Sequence, residues 1–424
     1  MKILHKPCKE SAIRSYDSVN TTDIMKKIIL LFAIAAAAVS CCKDGHHLDT
    51  RNRYTEDYYR GWGTSDGGTQ AGPGVLTASE WNDLSNWNLW SKLMTTETSE
   101  NGEGFSEFSD FWGLYTGNRV AVHVAASNGT DAIDAKVELL RDGQTIWETR
   151  TDNKGNASLW VDVTVPTASQ TAIEKERLTI KIGGELMQGN PDITNWDANG
   201  QVMTNDYTIV APAPEGTADI AFIVDATGSM IDEIDFLKSD LVSILNVVSN
   251  DHDNVALRTG MVFYRDEGDD YVTKTFDFVG DFAKAVDYVR QQHANGGGDT
   301  PEAVDKALES ALSELTWSQS ARARLAFMIL DAPAHKEASV IQSLQGSIAA
   351  FAVKGIRIIP IFCSSDEKSC EFMSRQFAIL TGGTYVYLTD DSGVGNGHVE
   401  ASTGDPEVEK LNDLVIRLIN EYIG

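Results

Sequence analysis

Positive charge is scarce in this chain. Its 424 residues hold 35 Lys and Arg against 62 Asp and Glu, a formal net charge of −27. A surface of that sign repels phosphate backbones and anionic lipid, which argues against nucleic acid as a partner, and it attracts divalent cations. Long apolar runs are missing too. The stretch "IILLFAIAAAAV" has twelve residues, too few for a permanent span that needs roughly 20. Signatures of common catalytic chemistry are also absent. There is no Gly-x-Ser-x-Gly elbow and no His-Glu-x-x-His, and "GGGD" lacks the Lys of a phosphate-cradling loop. These absences favour binding over catalysis. Cysteine is rare, with five in the chain.

Apolar residues make up 42% of the chain and charged ones 23%, which suits ordinary globular folding over two or three domains. Met25-Lys26-Lys27 and the apolar run after it have the form of a secretory signal. The segment closes on Ala38-Val39-Ser40-Cys41, which resembles the lipobox of a bacterial lipoprotein, although Ala38 stands where Leu is usual. That resemblance implies lipidation of Cys41 and an exported protein, lipid-anchored to the bacterial cell envelope. An ordinary signal cleaved near Ser40 is the alternative. Residues 1–40 are accordingly expected to be leader and signal, with Met25 read as the true start, and 41–75 to be a flexible tether. An exported chain can keep disulfides. Cys8 falls in the leader and Cys41 and Cys42 at the anchor, leaving Cys363 and Cys370 in "CSSDEKSC". A short disulfide loop is the favoured reading of that pair; two free thiols or a metal pair are the others.

Residues 76–190 begin with Trp81, Trp87 and Trp90 close together, read as anchors of a small core in preference to a glycan-binding face. The apolar period then becomes two: Val120, Val122, Val124; Ala135, Val137, Leu139; Ala157, Leu159, Val161, Val163; Leu178, Ile180, Ile182. Turn signals between these runs predict a small antiparallel sandwich. The stretch "AKVELLRDGQTIWETRTDNKGNASLWV" resembles carboxypeptidase-regulatory-like, Ig-like modules, which implies a spacer or docking role. Residues 191–216, ending "APAPEG", have linker composition, stiffened by Pro212 and Pro214.

From Thr217 to Gly424 short apolar runs alternate with helical periodicity, predicting an α/β doubly wound, mostly parallel sheet with its site at the carboxyl ends of the strands. Asp225 follows "DIAFIV" directly and Asp331 follows "LAFMIL" directly, so both carboxylates should reach one sheet edge. Thr227 and Ser229, two residues apart, can turn both hydroxyls to one point. Two carboxylates and two hydroxyls, with no His or Cys, form a hard oxygen shell that suits Mg²⁺, Mn²⁺ or Ca²⁺ and disfavours zinc. A cation also supplies the charge that buried carboxylates lack.

With those residues in view, the region 217–424 resembles a von Willebrand factor A domain, and Asp-x-Thr-x-Ser is a variant of that family's metal-ion-dependent adhesion site. Three further stretches are similar to the integrin β I-like branch. "DATGSMIDE" puts Asp232 and Glu233 where an adjacent metal site would lie. "GGGDTPEA" makes Glu302 the counterpart of a central-metal ligand, and "LDAPAH" places Asp331 at that metal. Asp266 falls at a third, structural cation position, where Gly297 departs from the Asn of integrins. Other branches use a Thr from this loop, so Thr300 competes with Glu302; with Pro301 after it, Thr300 also reads as a plain helix cap. Asp299 reads as a cap, a ligand or a support behind the ligands, and Ser229 as a cap paired with Asp232. Asp232 and Glu233 read otherwise as the solvated first turn of a helix. His335 reads as a buttress of the loop in preference to a metal ligand, and Asp390 and Asp391 as a solvated loop in preference to another Ca²⁺ site. The resemblance implies a non-enzymatic function: a divalent cation, Mg²⁺ first, whose coordination is completed by an acidic side chain of a protein partner. Two alternatives stand beside it. In one the cation only locks the fold and binding runs through the Trp-rich segment. In the other, water activated beside Asp331 and His335 hydrolyses a substrate.

Overall fold

The computed structural model describes residues 76–96, 104–213, 215–298, 300–363, 367–389 and 401–424. The leader, the tether, Cys41, Asp299, Asp390 and Asp391 lie outside them. All described residues fall in one compact unit, Gly67–Gly424.

In the first half, β1 (Thr77–Trp81) is followed by two short helices, α1 (Trp87–Leu93) and α2 (Ser106–Trp112). Then come β2 (Arg119–Ala126), β3 (Lys136–Arg141), β4 (Gln144–Arg150), β5 (Asn156–Trp160), β6 (Leu178–Ile182), β7 (Glu185–Leu186) and β8 (Asn205–Ile209). They form two sheets, β4-β3-β6-β7 and β5-β2-β8, whose inward residues are those of the period-two pattern. Two expectations are corrected here. The linker 191–216 contributes β8, which pairs parallel to β2, so the sandwich is not wholly antiparallel. Its polar composition hid a strand that seats only Tyr207 and Ile209 against the core. The boundary at 76 also moves, because β1 pairs antiparallel with β14 (Tyr385–Thr389) and β15 (Val408–Lys410) of the second half.

The second half opens with β9 (Thr217–Asp225), α3 (Ile231–Asp251), β10 (Ala256–Tyr264), β11 (Thr273–Val279) and α4 (Phe282–Arg290). It continues with α5 (Val304–Ser313), β12 (Ala323–Leu330), α6 (Ala338–Lys354), β13 (Arg357–Phe362), α7 (Lys368–Thr381) and α8 (Leu411–Ile423). The eight-stranded sheet runs β11-β10-β9-β12-β13-β14-β1-β15, and its five central strands are parallel. Apolar runs such as "AFIV" bury both faces, as a parallel sheet covered on both sides requires. α3, α4 and α8 cover one face, α5, α6 and α7 the other. The strand order reverses between β10-β9 and β12, so the crevice lies where β9 and β12 end. Among the described residues no helix is long and apolar enough to cross a membrane.

Cys363 and Cys370 are both free and buried. Cys363 packs into the core on one side of the sheet and Cys370, from α7, into the core on the other. The short sequence separation hid this division, and the expected disulfide does not form.

Trp87, Trp90, Trp112 and Trp160 are almost fully buried, as core anchors rather than a glycan face. Their core is shared with the α/β half: Trp90 stacks on Phe372 at 6.1 Å, and Trp112 Nε1 donates to the Ser369 carbonyl at 3.2 Å. The polar tie is Arg375 of α7, which is wholly buried. It donates to Asp83 at 2.9 Å, to Glu371 at 3.0 Å and to the Ser402 carbonyl at 2.7 Å. Removing one member of a buried ionic group leaves the rest uncompensated, at a cost of about 3–5 kcal/mol. Asp83→Ala should therefore lower unfolding stability by that order in denaturant titrations. Tryptophan fluorescence and far-UV circular dichroism should report one common midpoint, whereas two separated midpoints would contradict the shared core.

Candidate metal site

Asp225 ends β9 and lies opposite Tyr264, the last residue of β10, while Val224 lies opposite Ile329 in β12. Asp331 leaves β12 immediately after Leu330, so the two carboxylates come to one sheet edge, as the sequence implies. Asp225 is completely buried; its Oδ1 accepts from the Thr227 backbone at 2.9 Å and from Thr227 Oγ1 at 2.7 Å. Thr227 Oγ1 in turn lies 3.3 Å from Ser229 Oγ. Ser229 is exposed, so the group runs from a buried carboxylate up to a hydroxyl at the surface.

Ser229 does not cap α3. It lies in a 3-10 turn, Gly228–Met230, and α3 begins after Met230 without a side-chain cap, which leaves the Ser229 hydroxyl out of the helix. Thr300 is no cap either, because α5 begins after Ala303. It is exposed, and its hydroxyl reaches Glu367 at 3.4 Å. Glu302 is 3% exposed, held by its backbone N–H on the Pro333 carbonyl. The 295–298 loop brings it to the Asp225 strand end: Asn295 N–H donates to the Ala226 carbonyl at 3.1 Å, and Gly228 N–H to the Gly296 carbonyl at 3.1 Å. A Cβ on Gly297 would sit 3.1 Å from Thr227 Cβ and 3.4 Å from Glu302 Oε1, and Gly297 has φ +65°. Glycine at that position lets Glu302 and Thr227 approach one another.

The electrostatics of this edge are uncompensated. Burial and the Asp331 charge raise the pKa of Asp225, although Thr227 offsets part of the rise. Burial also raises Asp331, against a hydrogen bond from Ser229. Glu302 is pushed up to about 9 by burial, then by Asp225, Asp266, Asp331 and Asp269. Asp225 Oδ2 and Glu302 Oε2 are buried without a hydrogen-bond partner among the described residues. The buried Tyr264 hydroxyl lies near enough to favour ionised Asp225, yet completes no hydrogen bond. Arg265 is buried beside the site but donates to the Ala226 carbonyl at 3.0 Å and the His293 carbonyl at 2.7 Å. It fastens the two loops and leaves the carboxylates unpaired.

Orphaned carboxylate oxygens beside two hydroxyls fit a hard cation. Among the described residues, no three His, Cys, Asp or Glu side chains form a metal-holding group by themselves. Any ion here would rest on the hydroxyls as well as the acids. The remaining candidates divide. Asp266 Oδ1 accepts from His335 Nε2 at 2.7 Å, a bond that, against burial, holds the imidazole above its ordinary value; His335 is thus a buttress. Asp232 is half-buried in the first turn of α3. Glu233 is 6% exposed, which corrects its reading as a solvated position. Burial pushes it up to about 7, with Asp331 and Asp232 adding repulsion. Asp269, which sequence reasoning missed, accepts from Gly297 N–H at 2.9 Å and shapes the loop; its only signal was an acidic run after Asp266.

Residues 219–393 match the family model described as von Willebrand factor A domain. A putative ariadne-like RING finger protein, R811, of Acanthamoeba polyphaga mimivirus is 28% identical over 190 residues, 41% of this chain and 18% of that protein. The chain spans less than a fifth of the length of the curated relatives it matches. Among solved structures, the conserved hypothetical protein BatB from Bacteroides thetaiotaomicron aligns with TM-score 0.33 and 13% identity, over 49% of this chain and 98% of that one. Proximal thread matrix protein 1 of the mussel byssus, with a zinc-occupied MIDAS motif, aligns with TM-score 0.28 and 16% identity, over 37% and 39% of the two chains.

A carboxyl with a raised folded pKa holds a proton that the unfolded chain releases. Its contribution to stability is complete below the unfolded value and is lost as pH rises through the folded one. For Glu302 that window runs from its ordinary 4.5 to about 9. In metal-free buffer the melting temperature should fall across this range, and Glu302→Gln should flatten the fall. Thermal unfolding measured at successive pH values checks this; an identical slope in wild type and Glu302→Gln would refute it.

Proposed function

We propose that this chain, which contains a von Willebrand factor A domain, is a binding protein and not an enzyme. It would hold a divalent cation, Mg²⁺ first, on Asp225, Thr227, Ser229, Asp331 and Glu302, and through that cation engage an acidic side chain of a protein partner. The observation that carries this reading is the pair of buried oxygens, Asp225 Oδ2 and Glu302 Oε2, unpartnered among the described residues, at an edge where burial and neighbouring carboxylates raise the pKa of both acids. A cation supplies the missing charge. The exposed Ser229 hydroxyl leaves the position reachable from solvent, which favours an ion that meets a partner over one that only locks the core. Between Glu302 and Thr300, burial and the contact with Gly297 favour Glu302. Asp232, Glu233 and Asp266 would tune the site from beside it, as in the integrin β-like arrangement. The alternative of binding through the Trp-rich segment loses support because Trp87 and Trp90 are buried and Trp81 is half-buried against the same core. The lipid anchor at Cys41, and with it a place on the bacterial cell envelope, rests on the signal-like sequence alone.

Calorimetric titration of Mg²⁺, Mn²⁺ and Ca²⁺ into the full chain tests the reading. Wild type should bind at one site, Asp225→Ala should lose detectable binding, Glu302→Gln should weaken it by about tenfold, roughly 1.4 kcal/mol, and Thr300→Ala should leave it unchanged. Partner capture from envelope extracts should then require the cation. Equal binding by wild type and Asp225→Ala would remove the site from consideration.

A further inference from the structure

At the opposite edge of the eight-stranded sheet, where the parallel strands begin, three arginines stand at neighbouring levels. Arg258 of β10 and Arg324 of β12 are both in register with Asp219 of β9, and Arg357 of β13 is opposite Leu325 of β12. Arg258 is paired with Asp219 through bonds of 2.8 and 2.9 Å. Arg324 is paired with Asp134 through bonds of 2.8 and 3.0 Å. Arg357 has no carboxylate partner among the described residues. It is 5% exposed, its Nη1 and Nη2 donate to the Gly355 and Arg150 carbonyls at 3.1 and 3.3 Å, and its buried Nε–H has no acceptor.

Arg357 lines a cavity of about 390 Å³ between the sandwich and the strand starts. A second guanidinium enters it from the sandwich side. Arg119 of β2, 7% exposed, lies over the Trp87 ring at 5.1 Å. Its Nε and Nη1 donate to Ser158 Oγ at 3.1 Å and to the Leu84 carbonyl at 2.6 Å. It too lacks a carboxylate among the described residues, and burial pulls its pKa down to about 9. The carboxylates on the cavity wall are already used. Glu80 accepts from Arg417 and Thr384, both at 2.8 Å. Asp152 closes a turn by accepting from the Lys154 and Asn156 backbone at 2.9 and 2.7 Å. Glu421 accepts from Arg417 at 3.2 Å. Arg150 is offset by Asp134 at 3.4 Å, whereas Lys154 is exposed at the rim without an ion pair among the described residues.

A buried guanidinium without a counter-charge is costly, and two on one cavity call for an anion. The guanidinium fork matches carboxylate and phosphate oxygens. The volume lies in the range of small-molecule sites and has room for roughly a dozen water-sized groups at ~30 Å³ each. We propose that this cavity binds a small oxyanion, a phosphate- or carboxylate-bearing molecule, between Arg119 and Arg357.

The test uses the full chain, freed of metal by dialysis, with inorganic phosphate and malonate titrated separately at constant ionic strength. Saturable binding of at least one probe is expected, and which probe binds assigns the oxyanion. Arg357→Gln should weaken it at least tenfold, and Arg119→Gln similarly where that variant folds. Asp225→Ala, at the other sheet edge, should bind the probes as wild type does, so this result is read independently of the cation site. Probe-induced rises in melting temperature, compared within each protein, separate lost binding from lost stability. Failure of both probes to saturate up to roughly 10 mM, tenfold above a millimolar Kd, overturns the proposal. So does unchanged binding in Arg357→Gln.

Discussion

The architecture depends on one buried cation. Arg375 has no access to water, and a guanidinium taken out of water costs several kcal/mol unless charge and hydrogen bonds replace its solvation. Here Asp83, Glu371 and the Ser402 carbonyl replace it, and the faces of Trp90, Phe105 and Tyr385 lie 5.2, 5.1 and 5.7 Å from it. Burial still leaves Asp83 above its ordinary value despite the pairing, a sign of how little solvent reaches it. The partners come from before the sandwich, from α7 and from the segment ahead of α8. With β1 added to the sheet beside β14, the α/β half is not closed by residues 217–424 alone. The sandwich is a buttress packed on the helices behind the sheet, not a bead on a tether.

The opposite electrostatic condition holds at the strand ends. There the chain brings Asp225, Asp331 and Glu302 together and withholds the cation it could have used. Arg265 is close, but its Nε and Nη2 donate to backbone carbonyls and its Nη1 lies 4.0 Å from Asp270, away from the three acids. The contrast with Arg375 is instructive, because both places bury charge but only one neutralises it from within the protein. Tyr264, raised far above its ordinary value by burial and by the three acids, adds a neutral hydroxyl and no charge. Such an edge is costly in isolation and suited to an external cation.

What the sequence made legible follows from range. An apolar run ending in Asp is a local signal, so Asp225, Thr227, Ser229 and Asp331 could be placed before any coordinates, and parallel strands then had to bring the two acids to one edge. Glu302 was reachable only through the resemblance to integrin-like motifs, since its nearness to Thr227 depends on the φ of Gly297. Pairings across long separations left no local trace. "TASEW" carries nothing that announces a partner at Tyr385–Thr389, and "NDYTI" is too polar to look like a strand. The burial of Glu233 was hidden for the same reason: a carboxylate in the first turn of a helix is ordinarily solvated, and this one is buried within reach of Cys363 and of the Asp331 charge.

Net charge misdescribes this molecule in one respect. With −27 overall, carboxylates are plentiful, and Arg258 and Arg324 each take one with two bonds. Arg357, at the same end of the same sheet, is given none among the described residues, and neither is Arg119 across the cavity. A shortage of acids does not explain this, because Glu80, Asp152 and Glu421 line the same wall and are turned to other donors. The parallel sheet therefore has a cation-deficient edge where its strands end and an anion-deficient cavity where they begin, on a chain whose composition announces only the first. Helices α3 and α8 pack together between them: α3 starts just beyond Ser229, and α8 ends with Glu421 and Tyr422 on the cavity wall. Asn420 of α8 is bound to Asp251 and His252 at the far end of α3, at 2.9 and 3.1 Å. The two edges are thus joined by one pair of packed helices that lies along one face of the sheet.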